Sequence, residues 1–98
     1  MHTVNWDDLR IALRLAEDGR VSLTARTLGI NERTVLRRVA RLDAAMGMPV
    51  FEKHFGRVQP TAAGKLLVAK VADMDRAARA GLAAVEKTRD APSGHVTL

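Results

Sequence analysis

Apolar residues recur at helical spacing in several successive segments of this chain, with glycine or short polar stretches between them. The first segment runs from a polar N-cap, Asn5, to a glycine, Gly19. Asp7 and Asp8 occupy its first turn, where the helix dipole favours acids. Its inward-facing positions are Trp6, Leu9, Ala12, Leu13 and Ala16. We interpret Trp6 as a lid over the core rather than a binding residue, because the indole ring is largely apolar.

The second and third segments, residues 22–47, have the form of a helix-turn-helix. Ser22 is the expected N-cap of the shorter helix, Gly29 ends it, and Ile30 enters the core. The apolar positions of this helix are Leu23, Ala25 and Leu28. Asn31 is the expected N-cap of the longer helix, which has apolar residues at spacings of four, three and four on one face. These residues are Val35, Val39, Leu42 and Met46.

Residues 50–60 change to a short alternating pattern, which predicts a two-stranded wing. The expected strands are residues 50–53 and 57–59, on either side of a turn-like centre. A hairpin of this size is not stable alone. We therefore expect Phe51 and Val58 to anchor it to the helices.

A long helix is predicted to begin behind Thr61 and to run to about Arg89. It carries a four-three apolar stripe over nearly three heptads. The stripe comprises Leu67, Val71, Met74, Ala78, Gly81 and Val85, widened by Leu66 and Leu82. Such a helix projects beyond a three-helix core, so the distal stripe needs a partner, most simply the same helix of a second chain. Packing on its own domain is the competing explanation, and it fits the N-terminal half best.

Composition and charge fit a small basic domain. The 98 residues carry a net charge of +5, are 47% hydrophobic and include no cysteine, which excludes disulfides and thiolate metal sites. The start resembles no signal peptide and no segment approaches a membrane-spanning length, so we expect a cytoplasmic protein. Residues 91–94 break the last helix, and 95–98 resemble the opening of a strand, as expected at a domain boundary.

The third helix carries candidate DNA-binding chemistry on the face opposite its apolar stripe. At about 100° per residue, Arg37 lies almost opposite the stripe, and Arg33 and Arg41 lie one turn away on either side. The arginine fork suits base edges and phosphates because it donates two parallel hydrogen bonds. Residues 20–41 hold six arginines and one acid, which favours a docking surface over an ordinary solvated face.

Other polar residues are candidates for contact with the phosphate backbone. Ser22 and Thr24 lie at the start of the second helix, and helix N-termini favour phosphate. Lys53 and Arg57 lie near the predicted wing tip, from which they could reach phosphate or a minor groove. The same two cations would also be ordinary beside a surface turn.

Taken together, these residues resemble the N-terminal DNA-binding domain of LysR-type transcriptional regulators. The matching segments are residues 6–9 (WDDL), 16–19 (AEDG), 25–29 (ARTLG), 35–37 with 41–42 (VLR, RL), 47–52 (GMPVFE) and 61–64 (TAAG). No single segment is diagnostic, but their order and spacing together are highly specific. The resemblance extends from Trp6 to the break at residues 92–94.

The resemblance implies a mainly α fold: a three-helix winged helix-turn-helix with a short two-stranded wing and a long C-terminal dimerisation helix. The implied units are residues 1–60 (DNA-binding domain), 61–90 (linker and dimerisation helix) and 91–98 (a tail leading to an effector domain outside this sequence). A homodimer would bind an inverted-repeat promoter site to regulate transcription. Any effector small molecule would act through that separate domain. No cofactor, metal or membrane partner is implied.

The resemblance also assigns positions for DNA contact. The recognition-helix positions are Glu32, Arg33, Thr34, Leu36 and Arg37, followed by Arg38 and Arg41, and the wing cation is Lys53. Leu36 stands where the family usually has serine, so it could contact only a thymine methyl. Ala12 stands where phenylalanine is common. These departures leave the docking mode intact and alter the expected target sequence.

Other classes of function remain to be distinguished. The chain could be a dimerisation or adaptor module with the helix-turn-helix as scaffold, or an architectural DNA binder that tolerates many sequences. An enzyme is not expected, because His2, His54 and His95 lack metal-ligand spacing and the Asp7–Asp8 pair is explained by helix-start electrostatics. There is also no phosphate-binding glycine loop and no nucleophile motif.

Overall fold

The computed structural model describes residues 4–89, which form a mainly helical fold with a two-stranded antiparallel sheet. The helices are α1 (Trp6–Asp18), α2 (Val21–Leu28), α3 (Glu32–Met46) and α4 (Ala62–Arg89), and the strands are β1 (Phe51–His54) and β2 (Arg57–Pro60). The predicted fold class is confirmed. The predicted tail, residues 91–98, lies outside the described residues together with its His95. His2 lies outside them as well.

Helix ends follow the predicted capping residues with one exception. The Oδ1 atom of Asn5 accepts from the Asp7 N–H at 2.7 Å, and that of Asn31 from the Thr34 N–H at 2.8 Å. Gly19, Gly29 and Gly47 end α1, α2 and α3 in the left-handed region. The exception is Ser22, which lies inside α2. Extended Arg20 precedes that helix and caps it without a side-chain hydrogen bond.

The core consists of two adjoining clusters beneath α1, α2 and α3. The fully or nearly fully buried members are Ile11, Leu15, Ala25 and Val35 in one cluster, and Ala12, Leu42 and Val50 in the other. Val39 and Phe51 pack against both clusters and join them. Trp6 is 36% exposed and is not among the residues packed against either cluster, so its interpretation as a core lid stays a prediction. Leu23, Leu28 and Met46 are similarly exposed, which leaves Ala25 as the buried apolar residue of α2.

The wing forms as predicted, and several contacts attach it to the helices. Phe51 pairs with Pro60 and His54 with Arg57 in the antiparallel register. Phe51 and Val58 pack against the core, which confirms them as the anchors of the hairpin. The Val58 N–H donates to the Gly19 carbonyl at the end of α1 (2.9 Å), and the N–H of Val50 donates to the Asp43 carboxylate in α3 (2.9 Å).

The long helix α4 joins the core only through its first turns. The Thr61 hydroxyl accepts from the Gly64 N–H and donates to the Pro49 carbonyl. Leu67 packs against the core, and Val71 is 1% exposed. Every residue from position 76 to 89 is exposed. Together with the long dimension of 58 Å, this exposure shows that the distal part of α4 projects from the domain.

Leu66 corrects the predicted outline of the apolar stripe. It precedes Val71 by five positions, so it lies about 140° away around the helix. It is 75% exposed and points away from the core, instead of widening the stripe as predicted.

Among the described helices, none combines the length and apolar character that crossing a membrane requires.

Candidate nucleic-acid interface

The side of α3 that faces solvent carries two arginines. Arg33 and Arg37 are exposed, whereas Val35 and Leu42 on the opposite side are almost completely buried. Glu32 and Leu36 are also exposed, and Leu36 is 49% accessible. The buried stripe therefore fixes the helix, and the guanidinium groups of Arg33 and Arg37 are presented to whatever docks there.

Thr34 lies beside this exposed surface. It is half-buried, and its backbone N–H is occupied by the Asn31 cap. In the first turn of α3, Glu32 adds the one acid. The start of the helix thus offers one cation, one anion and one hydroxyl, an assortment that suits base edges better than a uniform phosphate row.

Two further arginines of α3 have protein partners. Arg38 Nη1 lies 2.9 Å from Asp8 Oδ1, and Arg41 Nε lies 3.1 Å from Asp8 Oδ2. The sequence prediction assigned both arginines to DNA, and it explained Asp8 by the helix dipole alone. The structure instead buries Asp8 to 2% exposure between α1 and α3. A contact between residues 30 positions apart leaves no local signal in one sequence.

The two predicted phosphate contacts at the start of α2 differ in their exposure to solvent. Ser22 is exposed, but Thr24 is completely buried, and its hydroxyl donates to Asp18 Oδ2 at 2.8 Å. Asp18 also accepts a hydrogen bond from Arg14. The prediction that the Thr24 side chain meets the DNA backbone is therefore wrong, because this hydroxyl joins α2 to the end of α1.

The wing cations also differ from each other. Lys53 is exposed on β1, as the predicted role requires. Arg57 instead reaches back to α1: a Cβ atom added to Gly19 would lie 2.9 Å from Arg57 Nη2. The last turn of α1 contains no basic residue, so this guanidinium complements the negative end of the helix dipole. Arg57 therefore does not extend from the wing tip as expected.

The wing tip itself carries an aromatic residue that sequence reasoning treated only as part of a turn. Phe55 is 94% exposed and has a positive φ of 52°, which is unusual for a bulky residue. Its ring meets His54 edge to face, with centroids 4.7 Å apart. Among residues 4–89, no three or more His, Cys, Asp and Glu side chains are arranged to hold a metal ion.

The fold and the exposed face of α3 define a winged helix-turn-helix module. A family model described as "Bacterial regulatory helix-turn-helix protein, lysR family" matches residues 6–65. The chain therefore belongs to the LysR family of bacterial regulatory helix-turn-helix proteins.

Two proteins with similar sequences are named as transcription regulators. The chain is 34% identical over 77 residues to the Mau operon transcriptional activator of Paracoccus denitrificans, covering 79% of this chain and 27% of that protein. It is 33% identical over 93 residues to the HTH-type transcriptional regulator TfdS of Cupriavidus pinatubonensis, covering 95% of this chain and 30% of the relative. The chain thus spans less than a third of the length of these relatives.

Solved structures share the fold at low sequence identity. The DNA-binding domain of BenM, in complex with catB site 1 DNA, matches with a TM-score of 0.81 and 15% identity, covering 91% of this chain and 99% of that chain. An OxyR variant from Corynebacterium glutamicum matches with a TM-score of 0.79 and 20% identity, covering 95% of this chain and 29% of that chain. The winged helix-turn-helix and its long helix therefore occur together in both proteins.

Proposed function

We propose that this chain is the DNA-binding part of a LysR-type transcription regulator and binds an inverted-repeat promoter site as a homodimer. The observation that carries the proposal is the placement of Arg33 and Arg37 on the exposed side of α3, which the buried Val35 and Leu42 hold in place. Helices held in this way enter the major groove in helix-turn-helix proteins. Family membership supports the same role.

Within the interface, Arg37 is the first candidate for a base contact, followed by Arg33 and Thr34. Glu32 could accept from a cytosine amino group and Leu36 could contact a thymine methyl. Exposed Ser22 is the remaining α2 candidate for phosphate, and exposed Lys53 is the wing candidate for a flanking minor groove. These roles divide the surface into base-reading and backbone-positioning parts.

The dimer is proposed to form through the distal half of α4. Its exposed apolar residues include Met74 (49%), Leu82 (68%) and Val85 (66%), on the same side of the helix as Ala78. Gly81 has no atom of the described residues within 4 Å of an added Cβ, so a second backbone could approach closely there. Leu67 and Val71 were predicted for this interface, but they are occupied by the chain's own core.

The domain boundaries follow from the same proposal. Residues 1–60 form the DNA-binding domain, 61–90 the linker and dimerisation helix, and 91–98 the tail toward an effector-binding domain. A small-molecule effector would act through that further domain. A cytoplasmic location fits a protein whose ligand is chromosomal DNA.

The test is a titration of Arg37→Ala against a site selected from a random DNA pool. If Arg37 makes a bidentate base contact, its loss costs about 1–3 kcal/mol on the selected site and less on random duplex. Arg89→Ala, at the far end of α4, is the matched control for loss of one positive charge. Equal weakening by the two substitutions would remove Arg37 from the interface.

A second experiment separates DNA binding from an adaptor role, which the exposed distal stripe of α4 also suits. Charge reversal at Arg33 and Arg37 should abolish binding to the selected site and leave the dimer intact, because neither residue belongs to the proposed dimer interface on α4. Sedimentation of the variant measures the dimer directly. Retention of DNA binding after this reversal would exclude the proposed surface.

A further inference from the structure

Asp8 forms the most deeply buried ion-pair cluster in the described residues, and the proposed function makes no use of it. Its side chain is 3% exposed and contacts Arg38 through one oxygen and Arg41 through the other. We call Asp8, Arg38 and Arg41 the Asp8 cluster. It joins the first turn of α1 to the middle of α3, the helix that carries Arg33 and Arg37.

The two arginines of the cluster are held differently. Arg38 is 27% exposed in its side chain, and its buried Nε has no hydrogen-bond partner among the described residues. Arg41 is 49% exposed, and its Nε lies 3.1 Å from Asp8 Oδ2. An arginine half in solvent can turn toward another anion at modest cost, because its charge is not fully desolvated.

The position of Arg41 on α3 would bring its side chain close to docked DNA if it turned away from Asp8. Arg41 follows Arg37 by four residues, so the two lie about 40° apart around α3. An Arg41 released from Asp8 would therefore border the surface that Arg37 presents, where a phosphate of a docked duplex could bind it. Phosphate contacts add affinity without reading sequence.

We propose that Asp8 is a specificity-determining residue: it withholds Arg41, and with it Arg38, from DNA phosphate. The α3 helix then meets a duplex chiefly through Arg33 and Arg37, and a larger share of the binding energy comes from contacts that differ between sequences. This inference rests on the proposed function, since it assumes that α3 faces DNA. It assigns to Asp8 a role in discriminating between DNA sequences rather than in raising the affinity for DNA.

The experiment compares Asp8→Asn with Asp7→Asn on a duplex of random sequence across a range of salt concentrations. Both substitutions remove one negative charge from the first turn of α1, but Asp7 is exposed and pairs with no arginine among the described residues. A released Arg41 that binds one phosphate makes the slope of log K against log salt steeper by about 0.9. We expect this change in Asp8→Asn and no change of slope in Asp7→Asn.

The same pair is then compared on the selected site. Asp8→Asn should lower the ratio of selected-site to random affinity severalfold, while Asp7→Asn keeps the ratio of the parent protein. A purely structural role for Asp8 gives a different result, because a loosened α3 weakens binding to both duplexes without making the salt slope steeper. That result would overturn the inference.

A second substitution tests the inference even if Asp8→Asn fails to fold. Arg41→Gln in the parent background should leave the salt slope nearly unchanged, because Asp8 holds Arg41 away from phosphate. In the Asp8→Asn background, Arg41→Gln should remove the whole gain in slope. A slope flatter by about 0.9 in Arg41→Gln of the parent background would show that Arg41 contacts phosphate despite Asp8, and would overturn the inference.

Failure of the proposed function and failure of the role assigned to Asp8 give different experimental results. A parent protein that binds neither random nor selected duplex in a salt-dependent manner overturns the proposed function and this inference with it. A parent protein that binds both, with the same slope in Asp8→Asn and Asp7→Asn, overturns only the assignment to Asp8.

Discussion

The two halves of α4 share one sequence pattern and differ in what covers it. Leu67 and Val71 pack on the core, whereas Leu82 and Val85, farther along the same side of the helix, are about two-thirds exposed. Periodic apolar residues therefore indicate that a helix has a buried face without indicating which partner buries it. In this chain the same stripe supplies an intramolecular contact first and an unpartnered surface afterwards.

Replacing one glycine in each half of α4 by alanine should give the largest difference in the free energy of unfolding. A Cβ at Gly64 would lie 1.9 Å from the carbonyl oxygen of Val50, whereas one at Gly81 would meet no atom from other parts of the described chain within 4 Å. Because backbone must move to relieve that overlap, Gly64→Ala should lower the free energy of unfolding by about 3 kcal/mol or more. Urea unfolding at low protein concentration measures it.

Gly81→Ala is the control for this substitution, since it also places alanine in α4. It should stabilise the isolated chain by about 0.5–1 kcal/mol through helix propensity. If the two substitutions have equal effects, α4 does not approach the wing as closely as its contact with Val50 indicates.

A matched pair of valines gives the next contrast. Val71→Ala should lower the free energy of unfolding by about 2–3 kcal/mol, because Val71 is 1% exposed. Val85→Ala should change the folding of the monomer by less than about 0.5 kcal/mol. It should instead weaken the proposed dimer about tenfold, as loss of about 1.5 kcal/mol of burial requires.

Thermal melts at two protein concentrations, together with sedimentation equilibrium, separate these effects. A Val85→Ala variant with the dimer constant of the parent would mean that the distal stripe is not the dimer interface. A monomeric parent protein would mean the same.

The smallest contrast compares two threonines. Thr61 accepts from the Gly64 N–H and donates to the Pro49 carbonyl, whereas Thr88 donates only to the Val85 carbonyl of its own helix. Thr61→Ala should cost about 1 kcal/mol, as loss of an N-cap does. Thr88→Ala should be neutral or slightly stabilising, because alanine favours helix and the lost bond is exposed. Chemical denaturation of both variants measures the difference, and similar values would show that the cap contributes little.

Local signals predicted most of the fold. Asn5, Asn31 and the glycines that end α1, α2 and α3 lie where the caps were expected, because capping depends on residues within one turn. Ser22 was the local error. A serine is a better N-cap than an arginine, but α2 begins at Val21, one residue before Ser22, with extended Arg20 in front of it.

Contacts between distant residues decide which polar residues of the candidate site have partners within the chain. Thr24, Arg57, Arg38 and Arg41 look alike in the sequence as polar residues near a docking surface. Their partners are Asp18, the Gly19 region and Asp8, and these are fixed by how α1 packs on the rest of the domain. Arg33 and Arg37 were easier to place, because their exposure follows from the position of one buried stripe on one helix.

The hydrogen bond from the Val50 N–H to Asp43 has a consequence for the DNA as well as for the protein. It joins the chain just before β1 to the last turns of α3, so it restrains the wing relative to the recognition helix. A duplex that meets both elements has to match their spacing, and it bends wherever its own groove spacing differs. The flexibility of base steps that the protein never touches then enters the choice of site. Two sites with identical contacted bases would be ranked by how readily the DNA between them deforms.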